Sequence, residues 1–113
     1  MKTILLIEDD PFLIDIYTTK LKEAGFSVQV ATDGQEGLRK LKEKTFDLLL
    51  LDIVLPKIDG WEFLRKIKKD EKLKEIKVVI LSNLSQKAEV EKGLKLGATK
   101  FLIKAHHLSL IHI

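Results

Sequence analysis

Apolar residues along this chain follow two rhythms. Short apolar runs occur at Thr3–Ile7, around the four leucines after Phe46-Asp47, at Ile76–Leu81 and at Thr99–Ile103, and Ser27–Ala31 alternates, with Val28 and Val30 facing one side. Runs this short and this apolar read as strands, the longest of them buried on both faces. Between them apolar residues recur at helical spacing. Phe12, Leu13, Ile16, Tyr17, Leu21 and Ala24 follow Asp10-Pro11, an N-cap and a first helical residue, and Gly25 ends the segment. Asp33-Gly34 turns into a helix over Gln35–Lys44 carrying Leu38 and Leu41. Trp61–Lys69 directs Trp61, Phe63, Leu64 and Ile67 to the sheet, and Gln86–Leu96 carries Val90, Leu94 and Leu96 before Gly97. Strand and helix alternate with mostly short connections, which predicts a parallel sheet with helices on both faces.

The stretch FDLLLLDIVLPKIDG, Phe46 to Gly60, locates the chemistry. Pro56 cannot donate to a ladder and Asp59-Gly60 is turn chemistry, so the strand ends near Asp52 or Ile53. Asp47 then stands at its entrance and Asp52 at its carboxyl end, where open α/β sheets hold their sites. The other strands end on polar groups too: Glu8 and Asp9, Ser82, and Lys104. In a parallel sheet all these ends share one edge. Carboxylates gathered there repel one another unless a cation sits among them. Hard oxygen ligands suit Mg²⁺, which takes one or two carboxylates together with phosphate oxygens. A carboxylate beside such an ion can attack phosphorus and form an acyl phosphate. The ion and a lysine neutralise the oxygens of the transferring group, and a hydroxyl at Ser82 can donate to one of them.

Composition narrows the picture without redirecting it. With 113 residues, 45% of them hydrophobic and 33% charged, the chain is one globular domain able to bury a core. A formal charge of +3 is too mild and too dispersed to argue for nucleic acid. There is no cysteine, hence no disulfide framework or thiolate metal site. The first apolar run is too short for a signal peptide or a membrane span, and a cytoplasmic location is expected. Arg65–Lys77 is densely charged, but Asp70, Glu71 and Glu75 interrupt its basic residues, so it reads as a solvated helix end and loop.

The acidic pair Glu8-Asp9, Asp52 inside LLLLDIVLPKIDG, Ser82 in ILSN and Lys104 in FLIK, in this order and at these intervals, resemble the receiver domain of bacterial two-component response regulators. The resemblance runs from Lys2 to about His107. It implies a flavodoxin-like, doubly wound sheet of five parallel strands in the order 2-1-3-4-5. It also implies that Asp52 takes a phosphoryl group from a histidine kinase, with the domain catalysing its own phosphorylation and dephosphorylation. Mg²⁺ would be held by Asp9, Asp52 and the backbone carbonyl of Val54, with Glu8 acting through water. Lys104 would pair with the phosphoryl group, while Ser82 and Phe101 would form the switch that controls an output. Implied partners are a histidine kinase or phosphotransfer protein, an output domain or partner protein, and a second copy of the chain; no direct nucleic-acid or membrane contact is expected.

Other readings of the same residues are plainer. Asp10 reads as a helix cap, and Trp61 as packing at a helix start. Taken singly, Ser82 is a strand-ending cap, Lys104 a solvated lysine and Phe101 core packing. His106, His107 and His112 lack any oriented partner and read as a solvated tail. A Mg²⁺-dependent phosphohydrolase with an aspartyl nucleophile typically wants a second Asp two residues on, where Val54 stands. A flavodoxin-like nucleotide binder wants a phosphate loop, where EDDPF offers acids. A non-phosphorylated interaction scaffold has no need of the intact Asp52 set.

The sequence departs from the family at Ala105, at Asn83 and at its end, and two further positions bear on a rate. Ala105 stands where a proline usually follows the lysine, which favours a trans peptide there. Asn83 replaces the usual small residue after the switch hydroxyl. Val54 and Leu84, each two residues beyond a site residue, are apolar and cannot orient an attacking water. Finally, only AHHLSLIHI follows Lys104, too short for the family's fifth helix, so that cover for one sheet face and part of the usual output surface are expected to be missing. Leu108–Ile113, LSLIHI, also matches one reading frame of a transposon-end adapter. Residues 1–107 are therefore expected to be the domain and 108–113 a non-native read-through tail, the alternative being a real truncated tail lying as an extra strand. Sequencing the gene from its source past His107 should show different codons there; genomic LSLIHI followed by a stop would overturn this.

Overall fold

In the computed structural model, the described residues are 2–52, 60–82, 95 and 100–103. They form β1 (Thr3–Ile7), α1 (Pro11–Glu23), β2 (Ser27–Ala31), α2 (Gly34–Glu43), β3 (Leu48–Asp52), α3 (Gly60–Lys69), β4 (Lys77–Ser82) and β5 (Lys100–Ile103). The strands make one parallel five-stranded sheet in the order β2-β1-β3-β4-β5. This is the expected doubly wound order. The helix expected over residues 86–96 lies outside the described residues except at Lys95, which is helical. The tail from residue 104 onward, with its three histidines, lies outside them as well.

Alternation along the strands divides the core into two layers. On one face Leu5, Ile7, Leu49, Leu51, Val78 and Ile80 pack with Leu41 of α2 and Phe63, Leu64 and Ile67 of α3. On the other, Ile4, Leu6, Leu48, Leu50, Val79 and Leu81 pack with Tyr17 and Leu21 of α1. β1, β3 and β4 are therefore buried on both sides, which is why their sequences are apolar without alternating. On this second face Leu50, Val79 and Leu81 are all buried.

Local signals explain most boundaries. Pro11 opens α1 behind Asp10, and Gly25, with φ of 94°, takes the left-handed turn that ends it. Asp33 caps α2, its Oδ1 accepting from Glu36 N at 2.8 Å. The loop after α3 is held by Lys68, whose Nζ donates to the carbonyls of Lys74 (3.1 Å) and Ile76 (3.4 Å). Asp70 Oδ1 accepts from Lys72 N at 2.8 Å in the same loop. Phe12 departs from expectation. It is 71% exposed, the one large exposed hydrophobic among the described residues. It precedes the buried Tyr17 by five positions, which is about 140° round a helix, so the sheet-facing side of α1 excludes it.

Gly37 marks the closest approach of α2 to the sheet. A Cβ added there would stand 2.6 Å from Ile7 Cδ1 and 3.2 Å from Phe63 Cε2. Glycine inside a helix costs roughly 1 kcal/mol relative to alanine; here it lets three elements meet beneath the carboxyl edge of the sheet. Gly37→Leu is expected to destabilise the domain by about 1–3 kcal/mol through overpacking, read as a fall in the denaturant midpoint; an unchanged midpoint would show that Ile7 and Phe63 yield freely.

Candidate functional site

The register of the ladders sets the site. Ile7 pairs with Leu51, Leu51 with Ile80, and Ile80 with Phe101. One residue further on, Glu8 leaves β1, and Asp52, the last residue of β3, pairs with Leu81. Asp9 comes next along the chain, and Ser82, the last residue of β4, pairs with Ile103. Thus the ends of β1, β3, β4 and β5 meet at one edge within about a residue of one another. Their order matches the sheet, so the acids flank Asp52 on one side and Ser82 stands on the other. Lys104 and Val54 lie outside the described residues, Lys104 directly after Ile103. Phe101 lies in β5 with its backbone opposite Ile80.

Three consecutive acids after β1 have three different surroundings. Glu8 is fully buried, and its backbone N–H prolongs the pairing with β2 by donating to Ala31 O at 3.0 Å. Its Oε2 accepts from Asp9 N at 3.1 Å and more weakly from Asp10 N at 3.5 Å, so the carboxylate folds back under the exit loop. Asp9 is exposed at the edge. Asp10 is the cap of α1, its Oδ1 accepting from Phe12 N at 2.9 Å and Leu13 N at 3.4 Å. The cap reading of Asp10 holds, and it leaves Glu8 and Asp9 as the acids of β1 available to the site. The loop-bracing bonds of Glu8 were not foreseeable from composition or periodicity, since they depend on where the loop turns.

A second carboxylate, Asp47, is spent at the opposite edge. Its N–H donates to Thr3 O at 2.8 Å, and its Oδ2 accepts from Thr3 N at 2.8 Å. This two-way clamp joins the start of β1 to the residue before β3, and so helps to fix the register that carries Glu8 beside Asp52. The sequence marks Asp47 only as a strand entrance.

Among the described residues no three acidic or histidine side chains gather into a metal site by themselves. Glu8 and Asp9 contribute hard carboxylate oxygens at the edge where β3 ends on a further aspartate. That donor chemistry fits a small divalent cation such as Mg²⁺, and fits neither a thiolate-loving nor an imidazole-loving metal. Among the described residues no helix is long and apolar enough to cross a membrane.

Known proteins share this arrangement. The family model described as "response regulator receiver domain" matches residues 4–112. The chain is 36% identical over 104 residues to the DNA-binding dual master transcriptional regulator RpaA of a Synechocystis strain, covering 92% of this chain and 43% of that protein. It is 35% identical to the transcriptional regulatory protein AfsQ1 of Streptomyces coelicolor, covering 92% of this chain and 45% of the relative. The chain therefore spans less than half the length of these curated relatives. Among solved structures, the Mn²⁺-bound form of response regulator Rcp1 superposes with a TM-score of 0.88 at 28% identity, covering 100% of this chain and 91% of that one. The receiver domain of Francisella response regulator 1452 gives a TM-score of 0.83 at 26% identity, with 99% and 98% covered. From its sheet order, its strand-end chemistry and these likenesses, the chain belongs to the response regulator receiver domains of two-component signalling.

Proposed function

We propose that Asp52 is the phosphoacceptor of this receiver domain. The supporting observation is the register that sets the exits of β1, with Glu8 and Asp9, beside Asp52, and the end of β4, with Ser82, on its other flank. The donor is a histidine kinase or a phosphotransfer protein carrying phosphohistidine. An Asp52 oxygen attacks phosphorus, the phosphorus–nitrogen bond breaks, and the imidazole leaves with the bond's electron pair. The product is an acyl phosphate on Asp52.

Asp9, Asp52 and the carbonyl of Val54 would hold Mg²⁺ directly, and Glu8 would act through water. The ion, when bound, supplies positive charge against the phosphoryl oxygens. In this reading Glu8 also braces the exit loop by accepting from the amides of Asp9 and Asp10. Lys104 pairs with a phosphoryl oxygen. Ser82 donates its hydroxyl to another, and Phe101 moves inward as Ser82 moves towards the phosphate, which is the signal an output domain or partner reads. The domain promotes its own phosphorylation and dephosphorylation by these contacts, and acts in the cytoplasm. A second copy of the chain is a candidate partner of the phosphorylated state.

Asp52→Asn should abolish phosphoryl incorporation from acetyl phosphate and also the response of Trp61 fluorescence to Mg²⁺ with a beryllofluoride mimic. Labelling of the asparagine variant at the parent level would place the phosphoryl group on another residue, and a parent protein silent to the mimic would favour a scaffold role; either would sink the assignment. The flanking residues predict a rate. Val54 and Leu84, both apolar, leave no side chain to orient a hydrolytic water, so the phosphoryl state should be long-lived. Val54→Asn combined with Leu84→Glu is expected to speed dephosphorylation by about tenfold or more, measured as decay of the labelled protein; an unchanged decay rate would contradict the guard role.

A further inference from the structure

β2 is an outer strand of the sheet and pairs with β1 on one side only. Ser27 N donates to Lys2 O at 2.9 Å, and Ala31 O accepts from Glu8 N at 3.0 Å, so the odd-numbered residues of β2 turn their backbone groups to β1. In a strand the N–H and C=O of one residue point the same way, and the direction alternates from residue to residue. Val28 and Val30 therefore direct their backbone donors and acceptors outward. Among the described residues no other element meets these groups.

Outer strands are commonly blunted by lysine, proline or an inward-pointing charge. β2 carries none of these. Its sequence, SVQVA, is uncharged in a chain that is 33% charged, whereas β5, the other outer strand, opens on Lys100. The same five residues read nearly alike in both directions about Gln29. An antiparallel strand of identical sequence, centred on Gln29, finds a matching residue at every position. Val28 and Val30 of the second copy lie opposite each other and exchange both backbone hydrogen bonds, as do Val30 and Val28 of the second copy. Gln29 meets its own equivalent on the twofold axis, at the closely spaced kind of pair, where two side-chain amides can bond each other. Small Ser27 falls opposite small Ala31. Val28 and Val30 pack on the α1 face of the sheet, so the pairing continues that apolar layer across the axis.

We propose that the free edge of β2 pairs antiparallel with the same edge of a second copy of this chain, joining two sheets into one. The same surface serves both copies, so the contact closes as a dimer. An edge this short gives a dimer that forms with rising concentration, not an obligate one. β2 lies two strands away from β3, which ends on Asp52, and the pairing does not rest on the phosphoacceptor assignment.

The test combines sedimentation velocity with amide hydrogen exchange on the whole chain. The parent should shift from monomer to dimer as its concentration rises. Gln29→Lys sets like charges at the closest cross-strand position and should weaken self-association by about tenfold. Gln29→Glu should do the same, and mixing the two variants should restore a dimer containing one copy of each. In the parent, exchange at the Val28 and Val30 amides should slow as the dimer forms, while Ser27, Gln29 and Ala31, already facing β1, stay unchanged. That pattern is read on the unaltered chain, so it decides the matter even where a variant fails to fold. A parent that stays monomeric at the concentrations used for NMR, a dimer indifferent to both substitutions, no recovery on mixing folded variants, or new protection away from Val28 and Val30 would each overturn the proposal.

Discussion

The register between β1 and β3 is the constraint on which the rest depends. Ile7 opposite Leu51 makes Glu8 and Asp52 follow each other off the same rung of the ladder. A slip of one residue would turn every side chain of β3 to the other face, exchanging Leu49 and Leu51 for Leu48 and Leu50 and taking Asp52 out of line. Because the residues paired with β3 are apolar except for Lys77, the hydrophobic pattern alone does little to forbid that slip. The reciprocal bonds between Thr3 and Asp47 do forbid it, by pinning the strands at their amino ends. One carboxylate thus holds the sheet at one edge so that others can be brought together at the far edge.

The three acids after β1 show how one sequence motif is divided by its setting. Asp10 satisfies two amides at the start of α1 and is used up as a cap. Glu8 is buried, and burying a carboxylate is expensive unless hydrogen bonds and nearby cations offset it. Its bonds to the amides of Asp9 and Asp10 supply part of that compensation and shape the loop on which Asp9 is displayed. Beneath them Gly37 lets α2 settle against Ile7, so the packing under the edge is tight where the chemistry needs a fixed frame.

Much of this was legible in the sequence. The apolar runs named the strands to within a residue or two, and Pro11, Gly25 and the aspartates before α1 and α2 set helix limits through backbone chemistry that acts locally. The polar residues ending each strand identified the candidate site, because parallel topology sends all such ends to one edge. Other features were decided only by tertiary structure. Periodicity counted Phe12 among the buried residues of α1, but the rotation of the helix on the sheet, fixed by Tyr17 and Leu21, turned it outward. The clamp at Asp47, the bracing by Glu8 and the close contact at Gly37 all join residues distant in the chain or depend on how a loop folds. Sequence patterns report what each segment prefers locally; which distant groups then meet is settled by the register and packing of the whole sheet.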